Sequence, residues 1–238
     1  MKKISIIFAT LFLVFGIGNA QLNTLTPQEV QQGWKLLFNG QNLDGWITVR
    51  TQEPPTEGWT VEDGVLTVNK GGAKRGGDII TKDQYSDFDL TFEFRITKGA
   101  NSGLKYFFTR YDKGGWLGFE YQILDDAVHP DAKLGHDNNR LQGGLYDMFA
   151  PAKDKKDSPV GEWNQGRVVS KGLTVEHYLN GQKVLTFERK SKAYMDAYEL
   201  SKFKGSEPVF GDVKEGHILL QDHHDEVSFR NIKIKVLK

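Results

Sequence analysis

"FDLTFEFRI", Phe88 to Ile96, is the stretch on which the fold turns. Phe88, Leu90, Phe92, Phe94 and Ile96 fall on one side, and Asp89, Thr91, Glu93 and Arg95 on the other. A period of two over this length marks a strand with one buried face. The same pattern recurs in both directions. "GWTVEDGVLTV" (58–68) breaks at Asp63-Gly64, and "LTVEHYLNGQKVLTFE" (173–188) breaks at Asn180-Gly181. Both dipeptides favour the tight turn of a hairpin. "WKLLF" (34–38) runs into the turn "NGQNLDGW", and the chain closes on "GHILLQD" (216–222) and "VSFRNIKIKVL" (227–237). Helix signals are sparse. Thr26, Pro27 and Glu29 form a cap, a first-turn proline and a capping box, but Gly33 ends that helix quickly. "SKAYMDAYELSKF" (191–203) reads as a second, ended by Gly205. Many short strands with Gly, Asn and Asp turns predict an all-β sandwich or jelly roll, ahead of a closed barrel. The lack of intervening helices excludes an alternating α/β fold.

Composition narrows the function classes. Lys plus Arg and Asp plus Glu number 31 each, so the chain has no bulk attraction for nucleic acid or an anionic membrane. There is no cysteine, which removes disulfides, thiolate metal sites, a cysteine nucleophile and a lipoprotein anchor. Residues 1–20 open with Lys2 and Lys3, continue in an apolar run from Ile4 to Ile17 and end in small residues at Ala20. This is the layout of a secretory signal peptide, its apolar run shorter than a membrane span needs and weakened by Gly16 and Gly18, with an uncleaved N-terminal anchor as the alternative. The expected product is one exported domain over residues 21–238, periplasmic or extracellular. G-x-S-x-G, P-loop, G-x-G-x-x-G and H-E-x-x-H motifs are all absent.

Three stretches carry side chains suited to chemistry on the outer face of a sheet. In "NSGLKYFF" (101–108), alternation sets Leu104, Tyr106 and Phe108 on one face and Lys105 and Phe107 on the other. A lysine among aromatics suits proton transfer or oxyanion binding, although an edge lysine snorkelling to solvent has the same pattern. In "GFEYQILDD" (118–126), Glu120 and Gln122 point one way and Tyr121 and Ile123 into the core. Asp125 joins the Glu120 side only through a bulge or the end of the strand. In "LLQDHHDEVSFRNI" (219–232), Gln221, His223 and His224 precede the last strand beside Asp222 and Asp225. Imidazole and carboxylate together bind metals or relay protons, and adjacent histidines cannot both face one side of a strand. The long loop "AVHPDAKLGHDNNRLQGG" (127–144) adds His129 and His136. Trp46, Trp59, Trp116, Trp163, Tyr111 and Tyr146 are aromatics that stack on sugar rings or fill the core.

Taken in order, "GWKLLFNGQNLDGW", "WTVEDGVLTV", "FDLTFEFRI…NSGLKYF", "GFEYQILDD", "WN…GRVVSKG…VEHYLNG" and "HILLQDHHDEVSFRNIKI" resemble the 3-keto-disaccharide hydrolase family. The resemblance runs from Trp34 to Val236. It implies a concanavalin A-like jelly roll of two curved antiparallel sheets and an enzyme acting on an oxidised glycoside. A ketone at C3 acidifies the C2 proton, so a base removes it, the glycosidic oxygen leaves C1, and water adds to the enone. The positions it implies are Lys105, Glu120, His129 and His223 for catalysis, with Gln122, Asp125, Tyr146 and Gln221 for substrate binding. Lys105 or a divalent metal ion would stabilise the enolate, with Glu120 or a histidine as base. The E-x-Q-x-x-D spacing also resembles the E-x-D-x-x-E motif of concanavalin-like retaining glucanases, but Gln122 replaces the middle acid. A glutamine neither shares a proton nor raises a carboxyl pKa by repulsion, which disfavours standard retaining hydrolysis. A non-catalytic sugar-binding sandwich is the alternative.

Overall fold

The computed structural model describes residues 22–70 and 76–238; the signal-like segment 1–20 lies outside the described residues. Among the described residues, thirteen strands make two antiparallel sheets. They are β1 (Trp34–Leu36), β2 (Trp46–Thr48), β3 (Trp59–Glu62), β4 (Val65–Val68), β5 (Ile79–Tyr85), β6 (Phe88–Ile96) and β7 (Asn101–Tyr111). β8 (Gly115–Leu124), β9 (Asn164–Lys171), β10 (Thr174–Leu179), β11 (Gln182–Glu188), β12 (Gly216–Leu220) and β13 (Val227–Val236) complete them. The larger sheet runs β11-β10-β9-β6-β13-β4-β3 with β1 added on β13; the smaller runs β2-β5-β12-β7-β8. Helices are short: α1 (Pro27–Gln31), α2 (Lys192–Leu200) and a 3-10 turn over Pro130–Lys133. The fold is the all-β sandwich expected from the strand pattern, with the two antiparallel sheets of the concanavalin A-like jelly roll that the resemblance implies.

β6 lies mid-sheet between β9 and β13, and its five alternate apolar residues are all buried. They meet Leu104, Tyr106, Phe119, Tyr121 and Ile123 from the smaller sheet in one continuous core. Asp63 and Asn180 take positive φ (50° for each) ahead of Gly64 and Gly181, as a two-residue hairpin turn requires. The second helix, expected over 191–203, runs from Lys192 to Leu200 with Ser191 as its N-cap and ends three residues early.

The alternation expected in β7 fails at one residue. Phe107 has φ 52°, and the β7–β8 register slips between Tyr106 and Thr109, the geometry of a β-bulge. Tyr106 and Phe107 therefore both enter the core, and Phe108, expected beside them, is turned to the outer face. There it joins Lys105. The bulge matters for the site below.

His177 on β10 is completely buried, its Nε2 2.7 Å from the Tyr106 hydroxyl and its Nδ1 3.0 Å from the Gly143 carbonyl. Burial pulls its pKa down to about 4, with the Gly143 bond opposing. An unfolded imidazole takes its proton near 6.5, so this contribution is whole above that pH and is lost as pH falls toward 4. Integrated over that window the loss is about 3 kcal/mol. In urea melts at pH 7 and 4.5, His177→Gln should lose markedly less stability on acidification than the parent. Equal losses would exclude His177 as the source.

Candidate active site

Strand register builds the site on the outer face of the smaller sheet. Glu120 on β8 pairs with Lys105 on β7, which pairs with Leu219 on β12, which pairs with Ile80 on β5. One step along, Gln122 pairs with Gly103, whose carbonyl accepts from the Gln221 amide. Glu120, Gln122, Lys105 and Gln221 thus come together because directly paired residues share a face. Segment 143–149 then pairs along the free edge of β8: the Tyr146 amide donates to the Glu120 carbonyl at 3.0 Å.

Glu120 and Gln221 face a cavity of about 400 Å³ whose lining also includes Asn101, His129, Tyr146 and His223, with Asp131, Leu134 and Lys202 at its wall; Lys105 and Gln122 do not line it and meet it through Glu120. Lys105 Nζ lies 3.3 Å from Glu120 Oε2, and Glu120 is 5% exposed. The satisfied orientation of the Gln122 amide donates to Glu120 Oε1 at 3.0 Å and to the Ser102 carbonyl at 3.3 Å. The opposite orientation sets two acceptors face to face. Gln122 and Lys105 therefore fix the Glu120 side chain from two sides, one at each oxygen. Gly103 makes this possible, since a Cβ there would sit 2.7 Å from Glu120 Oε1 and 3.0 Å from Gln221 Oε1.

The histidines divide by role. His129 caps the 3-10 turn, its Nδ1 accepting from the Asp131 amide at 3.1 Å. That bond leaves the proton of the neutral ring on Nε2, so His129 enters the site as a hydrogen-bond donor. His223 lines the cavity with an exposed imidazole, while His224 (φ 69°) sits with Nδ1 3.4 Å from Asp222 Oδ1. His136 is exposed in its loop and does not line the cavity.

Asp125, unlike Tyr146 and Gln221, stands apart from the cavity. β8 ends at Leu124, and the buried Asp125 carboxylate accepts from the Gly99 amide at 2.8 Å and the Ala127 amide at 3.1 Å. Both oxygens are used in holding the loop that brings His129 over the sheet, and Asp125 does not line the cavity. Tyr146 does line it. Burial, then a bond to Asp131, push its hydroxyl well above the usual range.

Several residues were not foreseen. Lys202 reaches the cavity from beyond α2, its Nζ 4.1 Å from the centre of the Tyr146 ring. The residue is exposed as a whole, but burial of its ammonium lowers its pKa, with Glu120 opposing and Lys105 adding to the shift. Asp147 fixes it by accepting from the Lys202 amide at 2.7 Å, while Arg140 spans Asp147 and Asp131, both at 2.7 Å. Asp78, just before β5, accepts from the Asp222 amide at 2.9 Å. Burial raises its pKa, against that bond and the charges of Lys105 and His223. Asn101 is on the Lys105 face two positions before Gly103, which strand alternation alone could have revealed. No short-range signal marks Lys202, which arrives through the packing of α2.

Two buried acceptors point to a polar ligand. Gln221 Oε1 and Asn101 Oδ1 have no hydrogen-bond partner, although both residues line the cavity. Unpaired buried oxygens are costly, and sugar hydroxyls are the donors that suit them. Among the described residues, no three His, Asp or Glu side chains gather to hold a metal ion. The positive charge around Glu120 comes from Lys105 and Lys202.

Comparison with known proteins gives the family. Residues 33–235 match the 3-keto-alpha-glucoside-1,2-lyase-like domain. The chain is 36% identical, over 92% of its length and 83% of the relative's, to a 3-keto-disaccharide hydrolase of Bacteroides thetaiotaomicron. A crystal structure of a candidate glycosyl hydrolase from Parabacteroides distasonis superposes with a TM-score of 0.79 at 32% identity, over 92% of this chain and 100% of that one. A Bacillus subtilis protein with a galectin-like fold shares the fold alone, at 11% identity and a TM-score of 0.50 over 91% of this chain and 94% of its own.

Proposed function

The chain belongs to the family of 3-keto-alpha-glucoside-1,2-lyase-like domains, and on that footing we propose that it cleaves the glycosidic bond of 3-keto-glycosides by elimination and hydration. The observation that carries the reading is Glu120, which lines a cavity with unpaired buried amide oxygens and has Lys105 Nζ 3.3 Å behind it.

Glu120 removes the C2 proton of the bound sugar, and the electron pair moves onto the C3 oxygen as an enolate. The Lys105 ammonium beside it balances that charge. The enolate collapses to restore the ketone and form the C1–C2 double bond, breaking the bond from C1 to the leaving oxygen. His223 gives that oxygen its proton, since imidazole exchanges protons near neutrality. Water then adds at C1, returning a proton to His223, while protonated Glu120 returns its own to C2. Each catalytic group ends as it began. His129 donates from Nε2 to a substrate oxygen, and Gln221 and Asn101 accept from ring hydroxyls, with Tyr146 as the adjoining wall. Gln122 serves this scheme by fixing the Glu120 carboxyl through its hydrogen bond to Oε1; in a retaining hydrolase its amide would be a defect. A binding module would not need an imidazole and a lysine-paired carboxylate drawn to one pocket, which disfavours the non-catalytic alternative.

The test is incubation with 3-keto-glucosides and their unoxidised parents. Aglycone release is expected from the keto forms only, because only they acidify C2–H; equal release from both would overturn the elimination scheme. The signal-like segment 1–20 supports export. Among the described residues, no helix is long and apolar enough to cross a membrane. The mature N-terminus is expected just after Ala20, which N-terminal sequencing of the exported protein reads directly.

A further inference from the structure

We propose that Trp116, stacked on Phe108, is a platform for the aglycone ring of the substrate; this rests on the reading of the Lys105–Glu120 pocket as the site of glycoside cleavage.

Trp116 is the one exposed member of the chain's five tryptophans, 37% accessible. Trp46 and Trp59 are buried in the core. Trp163 carries the guanidinium groups of Arg95 and Arg230 over its ring at 4.9 and 4.0 Å, and Trp34 has Lys233 and Lys235 nearby at 5.8 and 5.2 Å. Trp116 therefore differs from the others both in exposure and in position. On β8 it alternates with Gly118, Glu120 and Gln122, so its side chain leaves the sheet on the face that holds the pocket.

The β-bulge at Phe107 completes the arrangement. It turns Phe108 onto the same face, where the backbone of Gly118 closes on it: a Cβ on Gly118 would lie 2.8 Å from Phe108 Cα and 2.9 Å from Phe108 Cβ. The indole of Trp116 lies nearly flat on the Phe108 ring, 5.4 Å between centroids and 16° between planes. One face of the indole is thus fixed by stacking while over a third of the residue stays in solvent. From Trp116 to Glu120 is four residues of strand, roughly 13 Å. No side chain rises from Gly118 between them. That is the position for a ring attached through the bond being broken, and the apolar C–H face of a pyranose suits an indole plane. Arg110, paired with Trp116 across the strands and exposed, places guanidinium donors at its edge for ring hydroxyls.

The consequence is a preference for glycosides whose aglycone is itself a ring. With Trp116→Ala, KM for a 3-keto-disaccharide should rise roughly tenfold with kcat little changed, the loss of one stacking contact. Methyl 3-keto-glucoside, with nothing to reach the indole, should show no such rise. Trp116→Phe, which keeps a flat ring on Phe108, should recover most of the affinity. Equal loss on both substrates, or no change on the disaccharide, overturns the platform. If the parent protein cleaves neither substrate, the reading of the reaction fails instead. Calorimetric binding of the 3-keto-disaccharide then decides the platform: affinity lost in Trp116→Ala upholds it, and unaltered or undetectable binding overturns it.

Discussion

Glu120→Gln should lower kcat on a 3-keto-glucoside by about three orders of magnitude while the protein stays folded. The amide keeps the shape of the carboxylate but cannot take the C2 proton. Lys105 Nζ, 3.3 Å from Oε2 in the parent, still finds an oxygen acceptor in the variant. KM should change little, because the lost interaction belongs to the transition state. Far-UV circular dichroism and the thermal midpoint check that the sandwich survives. Turnover within a few-fold of the parent would remove Glu120 from the role of base and leave His223 as the group to test next.

The second large effect comes from a residue with no side chain. Gly103→Ala should lower kcat by about two orders of magnitude, since a displacement near 1 Å of a catalytic group has that effect. The new Cβ would lie 2.8 Å from Glu120 Cγ as well as 2.7 Å from its Oε1, so rotation of the carboxylate alone does not relieve the contact. Gln221, 3.0 Å away at its Oε1, must also yield. Stability should fall by only about 1–3 kcal/mol, the range for overpacking, because the open cavity leaves room for the displaced side chains. Raising substrate concentration should not restore the rate. A fully active Gly103→Ala would mean that Glu120 need not hold its present position, and with it the role given to the Lys105–Glu120 pair would fall.

The core was legible because burial imposes a period. The alternation in β6 and β8 identified Phe88, Phe92, Phe94, Tyr121 and Ile123 as inward-facing, and each is buried. Glu120 and Gln122 followed as their outward complement, and Asn101 could have been found by the same reasoning. The period misplaced Phe108 because a bulge inserts one residue without a clear local signal; Phe107, at φ 52°, is a residue type that rarely marks such a turn. Asp125 shows a different limit. Its spacing from Glu120 suited a ligand role, but where the strand ends its carboxylate meets the amides of Gly99 and Ala127. A short acidic side chain beside unpaired backbone donors is drawn to them first.

Local chemistry along the chain was enough for the sandwich, its hairpins and the polar face of β8, since each depends on neighbours one or two residues away. The pocket depends on groups far apart in sequence. Lys105 and Glu120 come from adjoining strands, Gln221 and His223 from the end of β12, and Lys202 from beyond α2. Cross-strand register and the packing of loops on a sheet edge bring them together, and neither is written in any short window. The same holds for Gly103, which reads as a weak strand residue until Glu120 and Gln221 are seen occupying the space a side chain would fill.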